Sequence, residues 1–585
     1  MRQFALLLLV AAPLSAHDAH GRSNAPAEAR RLKSPLAETV ENVAAAQPIY
    51  ARFCASCHGA DGKARTTIAA KLPLRPTNLA EYVMESMRDG EIFWVVTHGI
   101  DKNMPSFDQQ LTETERWQLV QYVRDLRARQ RTIEKAELGP YEWNLPAGFP
   151  FPNVPKDNPM TAEKVALGRY LFYDQRLSMN QTQSCATCHQ QALAFTDGRA
   201  HGLGSTKQLH PRGPMSLANV AYAPVLTWAN PNVRTLEKQA LVPMFGEDPE
   251  ELAMEGKEDV LLSRLRIVAR YTEMFAAAFP GDIDPFTVAN VTKAIASFER
   301  TILSGDSLYD RYRVGDDPNA ITESAKRGEA LFFSEKLECF HCHGGFNFTG
   351  TVDYLDKGFA EVEFHNTGLY NLTGKFSYPE PNLGLYLFTQ RPEDVGKFKA
   401  PTLRNISITA PYMHDGSVKT LDEAIDHYSS GGRTLKAGPN AGVGADNPNK
   451  SEFVKQFELT AQEKADLTAF LRSLTDESFL TNPQLSNPWQ PNITRRKVSA
   501  PQYVLRGEVV QVYPEDGMIS LYYKAVPGLI AEMKRPNAKD FLVPDQAKLK
   551  ALKPGQAVTA HVRKQGHDYV LEDLRPIPPG KETNR

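Results

Sequence analysis

Three copies of one motif decide how this chain folds: Cys54-Ala55-Ser56-Cys57-His58, Cys185-Ala186-Thr187-Cys188-His189 and Cys339-Phe340-His341-Cys342-His343. The chain has six cysteines, and all six belong to these motifs. No cysteine is therefore left for a disulfide or for a free nucleophile. Cys-x-x-Cys-His is the attachment motif of c-type haem, in which two thiols bind the porphyrin and the adjacent His binds the iron. A zinc site would need further Cys or His partners at paired spacing.

We therefore predict three covalently bound haem c groups as cofactors. Their iron ligands on the motif side are His58, His189 and His343. Their thioether links are formed by Cys54, Cys57, Cys185, Cys188, Cys339 and Cys342.

Length and charge narrow the function classes. The chain has 585 residues, which at roughly 150 residues per domain predicts about four domains. It carries 67 Lys+Arg against 69 Asp+Glu, a net charge of -2, which excludes a general nucleic-acid binder. With 42% hydrophobic residues, wholesale disorder is also excluded.

The amino terminus is typical of an export signal. Arg2 supplies a positive charge, residues 4–14 are apolar, and Leu14-Ser15-Ala16 is a small-residue cleavage site. The apolar run is too short to cross a bilayer, and no later segment is long enough. The sequence predicts a signal peptide over residues 1–16, a periplasmic protein and no membrane span.

Residues 41–130 form the first haem unit. A helical stretch leads into the first motif, and Thr112-x-x-Glu115 is a capping box that opens a second helix. The loop Gly99-Ile100-Asp101-Lys102-Asn103-Met104-Pro105 lies between them. This arrangement resembles the mono-haem cytochrome c domain, and the resemblance implies Met104 as the sixth iron ligand. An iron with His and Met ligands transfers electrons and has no open position for chemistry.

An internal repeat follows a Pro-rich linker over residues 139–159. Gly168-Arg169-Tyr170-Leu171-Phe172-Tyr173 precedes the second motif, and Gly328-Glu329-Ala330-Leu331-Phe332-Phe333 precedes the third. Two related helical haem units are predicted over residues 141–320 and 321–478. The pair Thr460 and Glu463 caps the last helix.

The final 499–578 region is predicted to be a β-structure. Alternating apolar residues over 507–512 and 518–522, separated by Pro514-Glu515-Asp516-Gly517, indicate a hairpin, and residues 558–562 and 569–571 are further strands. The predicted fold class is mainly α, with three class I cytochrome c-like haem domains in tandem and a small C-terminal OB-like β-barrel.

Residues 141–478 resemble the bacterial di-haem cytochrome c peroxidase superfamily, which includes the tryptophan-modifying enzymes MauG and MbnH. The phrases around Trp228 and over residues 242–247 are most similar to the MbnH branch. The motifs that carry the resemblance are Leu171-Phe172-Tyr173-Asp174, Phe195-Thr196-Asp197-Gly198, Leu217-Ala218-Asn219-Val220-Ala221-Tyr222, Leu226-Thr227-Trp228-Ala229-Asn230-Pro231, Val242-Pro243-Met244-Phe245-Gly246-Glu247 and Pro411-Tyr412-Met413-His414-Asp415-Gly416.

The resemblance implies that peroxide reacts at the haem on His189. It implies Glu251 as the acid–base catalyst, with Glu247 and Glu250 as alternatives, because peroxide cleavage requires a group that moves a proton between the two oxygens. It also implies Trp228 as a catalytic electron relay between two haems. The loop over residues 204–207 has no His aligned with the family's distal ligand, which favours an open iron. His201 and His210 remain the alternative distal ligands.

At the third haem the resemblance implies Tyr428 as the sixth ligand, as in MauG, with Met413 and His427 as competitors. Oxygen ligation favours ferric iron, whereas Met favours ferrous iron. The superfamily also holds a calcium ion, for which Thr409 and Pro411 match the carbonyl donors. Gly213 stands where the family has an Asn ligand, which counts against calcium.

The C-terminal region resembles the small periplasmic copper-binding domain of CusF type, through residues 526–529 and 552–555. Copper(I) requires soft ligands, a His and two Met in that family. This chain has Met533, but Tyr523 stands at the His position and Arg535 at the second Met. Copper binding is therefore not expected, and a docking or structural module is.

The predicted function is that of a periplasmic tri-haem oxidoreductase of the cytochrome c peroxidase family, with hydrogen peroxide as oxidant and a small redox protein as electron donor. The first alternative is a MauG- or MbnH-like enzyme whose two irons jointly store the oxidation and oxidise a Trp of a partner protein. Tyr428 and the open loop favour this alternative, whereas the added cytochrome unit favours the peroxidase. A non-enzymatic multi-haem electron carrier is the alternative of another class.

Overall fold

The structure, a computed structural model, describes residues 25–72, 74–100, 103–315, 317–372, 377–489, 503–514, 518–523, 539–543, 546–565 and 568–577. The chain divides into two compact units, Met1–Trp489 and Gln490–Arg585. The first unit is mainly helical and the second contains a curled β-sheet. The predicted signal peptide over residues 1–16 lies outside the described residues.

The longer helices of the first unit are α1 Val40–Phe53, α2 Asp89–His98, α3 Glu113–Leu138, α4 Ala162–Phe172, α5 Leu236–Phe245, α6 Glu258–Arg266, α7 Ala269–Ala278, α8 Val288–Glu299, α9 Glu323–Phe332, α10 Leu421–Ser429 and α11 Ala461–Ser473. The short helices are Ala27–Arg30, Ala55–His58, Ala69–Lys71, Val83–Ser86, Gln175–Leu177, Cys185–Cys188, Gln191–Leu193, Val220–Tyr222, Leu308–Arg313, Cys339–Cys342, Tyr386–Thr389, Pro392–Asp394, Gly444–Asp446 and Glu477–Thr481. Two-residue strands pair antiparallel as β1 Phe364–His365 with β2 Phe398–Lys399, and as β3 Thr434–Leu435 with β4 Gly442–Val443.

The predicted helix caps are confirmed. Glu115 N donates to Thr112 Oγ1 at 3.3 Å while the Glu115 carboxylate accepts from the Thr112 backbone, so helix α3 begins in a complete capping box. Thr460 and Glu463 make the same reciprocal bonds at the start of α11. Helix α3 continues to Leu138, past the predicted boundary at 130, and an ion pair between Arg127 and Glu134 stabilises its last turns.

The internal repeat has a packing reason. A Cβ on Gly168 of α4 would lie 1.8 Å from the Ala294 carbonyl oxygen of α8, and one on Gly328 of α9 would lie 1.9 Å from the Asp466 carbonyl oxygen of α11. Only glycine allows two helix backbones to approach so closely. Each repeat therefore places its haem motif after a helix that crosses a second helix at the same glycine.

The Pro-rich linker is packed against neighbouring helices and loops of the first unit, to which it belongs, rather than extended in solvent. Phe149 and Phe151 are 2% and 4% exposed. Phe149 contacts Phe346 with a ring-centroid separation of 4.8 Å, and the Arg131 guanidinium lies over the Phe151 ring at 5.0 Å. The linker thus joins helix α3 to the segment that follows the third haem motif.

The C-terminal unit consists of β5 Tyr503–Tyr513, β6 Met518–Tyr523, β7 Lys539–Leu542, β8 Ala557–Gln565, β9 Asp568–Pro576 and the short helix Gln546–Lys550. The predicted hairpin is confirmed, since β5 and β6 pair antiparallel. The pairing order β5-β6-β7-β9-β8 curls the sheet into a closed barrel, with a parallel bridge between Leu542 and Val570. Strand β7 and the helix were not predicted. Leu505, Val558 and other fully buried side chains fill the interior.

Candidate functional site

The first haem motif opens into a cavity between helices α1 and α3. Cys54, Cys57 and His58 line it on one side, and Met104 lies in its wall on the loop after α2. The Met104 backbone exchanges two hydrogen bonds with Ile100, at 2.8 and 3.0 Å, which fixes Met104 beside the end of helix α2. The predicted ligand pair His58 and Met104 therefore belongs to one cavity.

The second motif lines a cavity whose polar groups suit proton transfer. Cys188, His189, Glu251 and His210 all lie in its wall. Burial raises the pKa of Glu251 to about 7, and His210 Nε2 lies 3.9 Å from Glu251 Oε1. A carboxyl group that titrates near neutral pH can accept a proton and return it, as general acid–base catalysis requires.

The alternative acid–base carboxylates, Glu247 and Glu250, differ in whether they reach the second cavity. Glu250 also lines the second cavity, but the Glu247 side chain is exposed and does not. The loop with Gly204 packs against this segment, because Ser205 N donates to the Glu251 carbonyl oxygen at 2.6 Å. Of the alternative distal histidines, His210 lines the cavity, whereas His201 is exposed and its Nδ1 lies 3.1 Å from the His210 carbonyl oxygen.

The third motif opens into a cavity that is predominantly apolar. Cys339, Cys342 and His343 lie in its wall, together with Tyr428 of helix α10 and Met413. Of the competing ligands, His427 is buried but does not line this cavity, because it lies on another face of α10. Of the predicted ligand and its competitors, Tyr428 and Met413 thus share the cavity with His343.

The three motif histidines share one orienting contact. His58 Nδ1 lies 3.0 Å from the Thr77 carbonyl oxygen, His189 Nδ1 lies 2.8 Å from that of Phe195, and His343 Nδ1 lies 3.4 Å from that of Phe348. A backbone acceptor at Nδ1 fixes the tautomer and leaves Nε2 free to bind metal. The first and third cavities each combine two thiols with such an imidazole, and the second has Cys188 and His189 in its wall, an arrangement that fits haem c.

Trp228 lies in the walls of both the second and the third cavity. Its indole Nε1 donates to the Gly213 carbonyl oxygen at 2.9 Å, and its own carbonyl oxygen accepts from Lys399 N at 2.9 Å. Gly213 N in turn donates to the His414 carbonyl oxygen at 3.1 Å. The side chain and the backbone of Trp228 are thus both fixed between the two cavities.

The calcium and copper predictions stay predictions. Gly213 offers its carbonyl oxygen to the Trp228 indole, and its lack of a side chain removes the family's Asn ligand next to the carbonyls of Thr409 and Pro411. In the barrel, Tyr523 is 5% exposed and packs on Phe541 at a ring separation of 5.2 Å. Met533 and Arg535 lie outside the described residues.

Two cations near the cavities were missed by sequence reasoning. Lys399 lines the third cavity and is 7% exposed, and Arg212 lines the second, where its Nε donates to Asn382 Oδ1 at 3.0 Å. The sequence does contain a sign of the buried Lys399, because it stands between apolar residues in Phe398-Lys399-Ala400-Pro401. Charged residues are rarely buried without a reason.

Three family models match the chain. Residues 162–318 match the di-haem cytochrome c peroxidase model, residues 41–123 match the model of subunit III of cbb3-type cytochrome c oxidase, and residues 502–576 match the copper-binding periplasmic protein CusF. The first two matches support haem c as a cofactor. Among the described residues no helix is both long and apolar enough to cross a membrane.

The chain is 38% identical over 355 residues to cytochrome-c peroxidase IdrP1 of Pseudomonas sp. (strain SCT), covering 58% of this chain and 88% of the relative. It is 35% identical over 334 residues to the methylamine utilization protein MauG of Methylorubrum extorquens, covering 57% and 84%. A solved MauG-like protein associated with microbial copper homeostasis is 49% identical, with a TM-score of 0.59, and matches 60% of this chain and all of that chain. The chain is thus an oxidoreductase of the peroxidase type and belongs to the di-haem cytochrome c peroxidase and MauG family.

Proposed function

We propose that the protein is an exported tri-haem oxidoreductase that uses hydrogen peroxide as oxidant at the second cavity. The observation that carries the proposal is the place of Trp228, in the walls of both the second and the third cavity. An indole fixed between two redox sites can relay single electrons from one to the other. When bound, the haem on His189 supplies an iron to which peroxide can coordinate.

The residues of the second cavity handle the protons. Glu251 takes a proton from the peroxide oxygen nearer the iron and returns it to the departing oxygen, so that the O–O bond breaks with water as a product. Its pKa of about 7 allows both steps near neutral pH. Complete reduction of one peroxide to two water molecules consumes two electrons and two protons.

Electrons enter through the first haem, a proposal supported by how residues 41–130 dock. Tyr82 contacts Phe346, three positions after His343, at a ring separation of 5.3 Å. Arg88 donates to the Tyr312 carbonyl oxygen at 3.2 Å, and Lys63 lies 3.5 Å from the Asp356 carboxylate. The first haem unit is thus packed beside the third motif, where an electron relay requires it.

A second candidate function is oxidation of a Trp in a partner protein. Tyr428 in the wall of the third cavity favours it, because anionic oxygen ligation stabilises oxidised iron and so makes that haem harder to reduce by a conventional electron donor. The 49% identity to a MauG-like protein points the same way.

Stopped-flow spectroscopy of the reduced protein with hydrogen peroxide tests the proposal. We expect Trp228→Phe to slow oxidation of the His343 haem while leaving the initial reaction at the His189 haem unchanged. Trp94→Phe, in the first haem unit, is the matched control. If Trp228→Phe leaves both rates at native values, the relay is wrong. Turnover with a reduced cytochrome c, compared with oxidation of a Trp-bearing protein, separates the two candidate functions.

A further inference from the structure

Lys399 is a buried cation without an ionic partner among the described residues. It lies on β2 and is 7% exposed. Its Nζ donates to the Val225 carbonyl oxygen at 2.7 Å, and no described carboxylate lies within ion-pair distance. Burial lowers the pKa of Lys399 to about 8. A charged group is rarely buried in a protein unless an opposite charge compensates it.

The arginines that are buried among the described residues of the first unit follow that rule. Arg127 lies 2.8 Å from Glu134, Arg300 lies 2.9 Å from Glu237, and Arg404 lies 2.8 Å from Asp310. The buried Lys164 has neutral partners, with its Nζ 3.2 Å from Asn158 Oδ1 and 3.0 Å from the Pro159 carbonyl oxygen. Lys164 differs from Lys399 because it lines none of the three haem cavities.

The protein does not supply the missing anion to the third cavity. Among its described lining residues the acidic side chain is Glu338, which lies 2.7 Å from His341 Nε2 and 3.4 Å from Lys455 Nζ. Lys399 lies in the same wall as Trp228, to whose carbonyl oxygen its backbone N–H donates. A haem c carries two propionate groups, on the half of the porphyrin away from its thioether links.

We propose that Lys399 binds a propionate carboxylate of the haem attached to Cys339 and Cys342. This inference rests on the proposed function only in requiring a haem at His343. The ammonium group compensates the propionate charge in the wall of the third cavity, and the backbone N–H of the same residue donates to the Trp228 carbonyl oxygen. Lys399 is thus a positioning residue that sets the reduction potential of this haem.

A redox titration of the holoprotein, followed at the absorption of each haem, tests the inference. Lys399→Met leaves the propionate charge uncompensated and so favours ferric iron. We expect the ferrous-to-ferric ratio of the His343 haem at a fixed potential to fall about tenfold, equivalent to about 59 mV for a one-electron couple. Lys399→Arg keeps the charge and should retain most of the native potential. Lys164→Met is the matched control, with all potentials unchanged.

Lys399→Gln provides a second variant in case the Met variant does not fold, because its amide can still donate to the Val225 carbonyl oxygen. The same fall in potential is expected. A native potential in a folded Lys399→Gln or Lys399→Met protein overturns the inference, as does a shift confined to the His189 haem. Haem content is measured on the same samples and on the native protein. Fewer than three haems per native chain contradicts the proposed tri-haem function. Three haems per chain with an unshifted potential in the variants contradicts this inference alone.

Discussion

The second and third haem motifs follow equivalent helix pairs, α4 with α8 and α9 with α11, but their cavities differ in the side chains that accompany the motif histidine. In both, a glycine of the first helix lies against a carbonyl of the second, and the imidazole Nδ1 contacts a backbone carbonyl. The cavity of His189 also contains Glu251 and His210, whereas the cavity of His343 contains Tyr428 and Met413. Under the proposed function, the duplicated scaffold holds the same cofactor twice, and these side chains are expected to serve proton transfer in one cavity and iron ligation in the other.

Of the changes considered, removing the haem from one cavity at a time should have the largest effect on the reaction with peroxide. We expect the double variant Cys185→Ala/Cys188→Ala to lose one haem and all reaction with peroxide. The double variant Cys339→Ala/Cys342→Ala should also lose one haem but still react once with peroxide. Haem content by the pyridine haemochrome assay and peroxide consumption measure both. If the second variant alone loses peroxide reactivity, the two cavities have been assigned in the wrong order.

Glu251→Gln should slow peroxide-driven oxidation by about a hundred- to ten-thousand-fold, because a neutral amide keeps the size of the side chain but cannot carry a proton. Haem content and the ferric spectrum should stay native. Glu247→Gln is the control, since the Glu247 side chain is exposed outside the cavity. If Glu250→Gln slows the peroxide reaction and Glu251→Gln does not, Glu250 is the acid–base group.

The role of the repeated glycine in helix packing can be tested in both haem units. Gly168→Ala and Gly328→Ala should each lower the free energy of unfolding by about 1–3 kcal/mol, because the added methyl group forces two helix backbones apart. Gly281→Ala is the control, as a Cβ there meets no atom within 4 Å. Urea unfolding followed by circular dichroism measures the difference. If all three variants have the free energy of unfolding of the native protein, close helix packing does not explain why the glycine is repeated.

Tyr428→Met should make the third cavity a conventional electron-transfer site. Replacing an oxygen ligand by a thioether favours ferrous iron, so the ferrous-to-ferric ratio at a fixed potential should rise about tenfold or more. The thioether–iron absorption band should appear at the same time. Met413→Leu is the control and leaves the native spectrum unchanged. If the native protein already shows that band at this haem, and Met413→Leu abolishes it, Met413 is the ligand.

The pH dependence of the peroxide reaction should belong to the second cavity alone. Burial raises the pKa of Glu251 to about 7. Since only the deprotonated carboxylate accepts the peroxide proton, the rate should rise about tenfold from pH 6 to pH 8 and then level off. The Glu251→Gln protein should lack this dependence. A native rate that falls over the same interval would contradict Glu251 as the base.

Much of the local structure follows from short-range patterns. The capping boxes at Thr112 and Thr460, the hairpin of β5 and β6 and the mainly helical class with a terminal sheet are predicted correctly. These features depend on contacts between residues a few positions apart, which a sequence displays directly. Strand β7 was missed because it has only four residues and pairs with β6 across a long connection rather than through a tight turn.

By itself the sequence determined the motifs, the six cysteines that form them and the glycines that repeat before two of them. The tertiary structure alone decided that Trp228 borders two cavities, that Glu251 rather than Glu247 reaches one of them, and that Lys399 is buried beside the other. The physical reason is that burial, and the charge compensation it demands, depends on segments far apart in the chain. No local pattern records which of these segments meet.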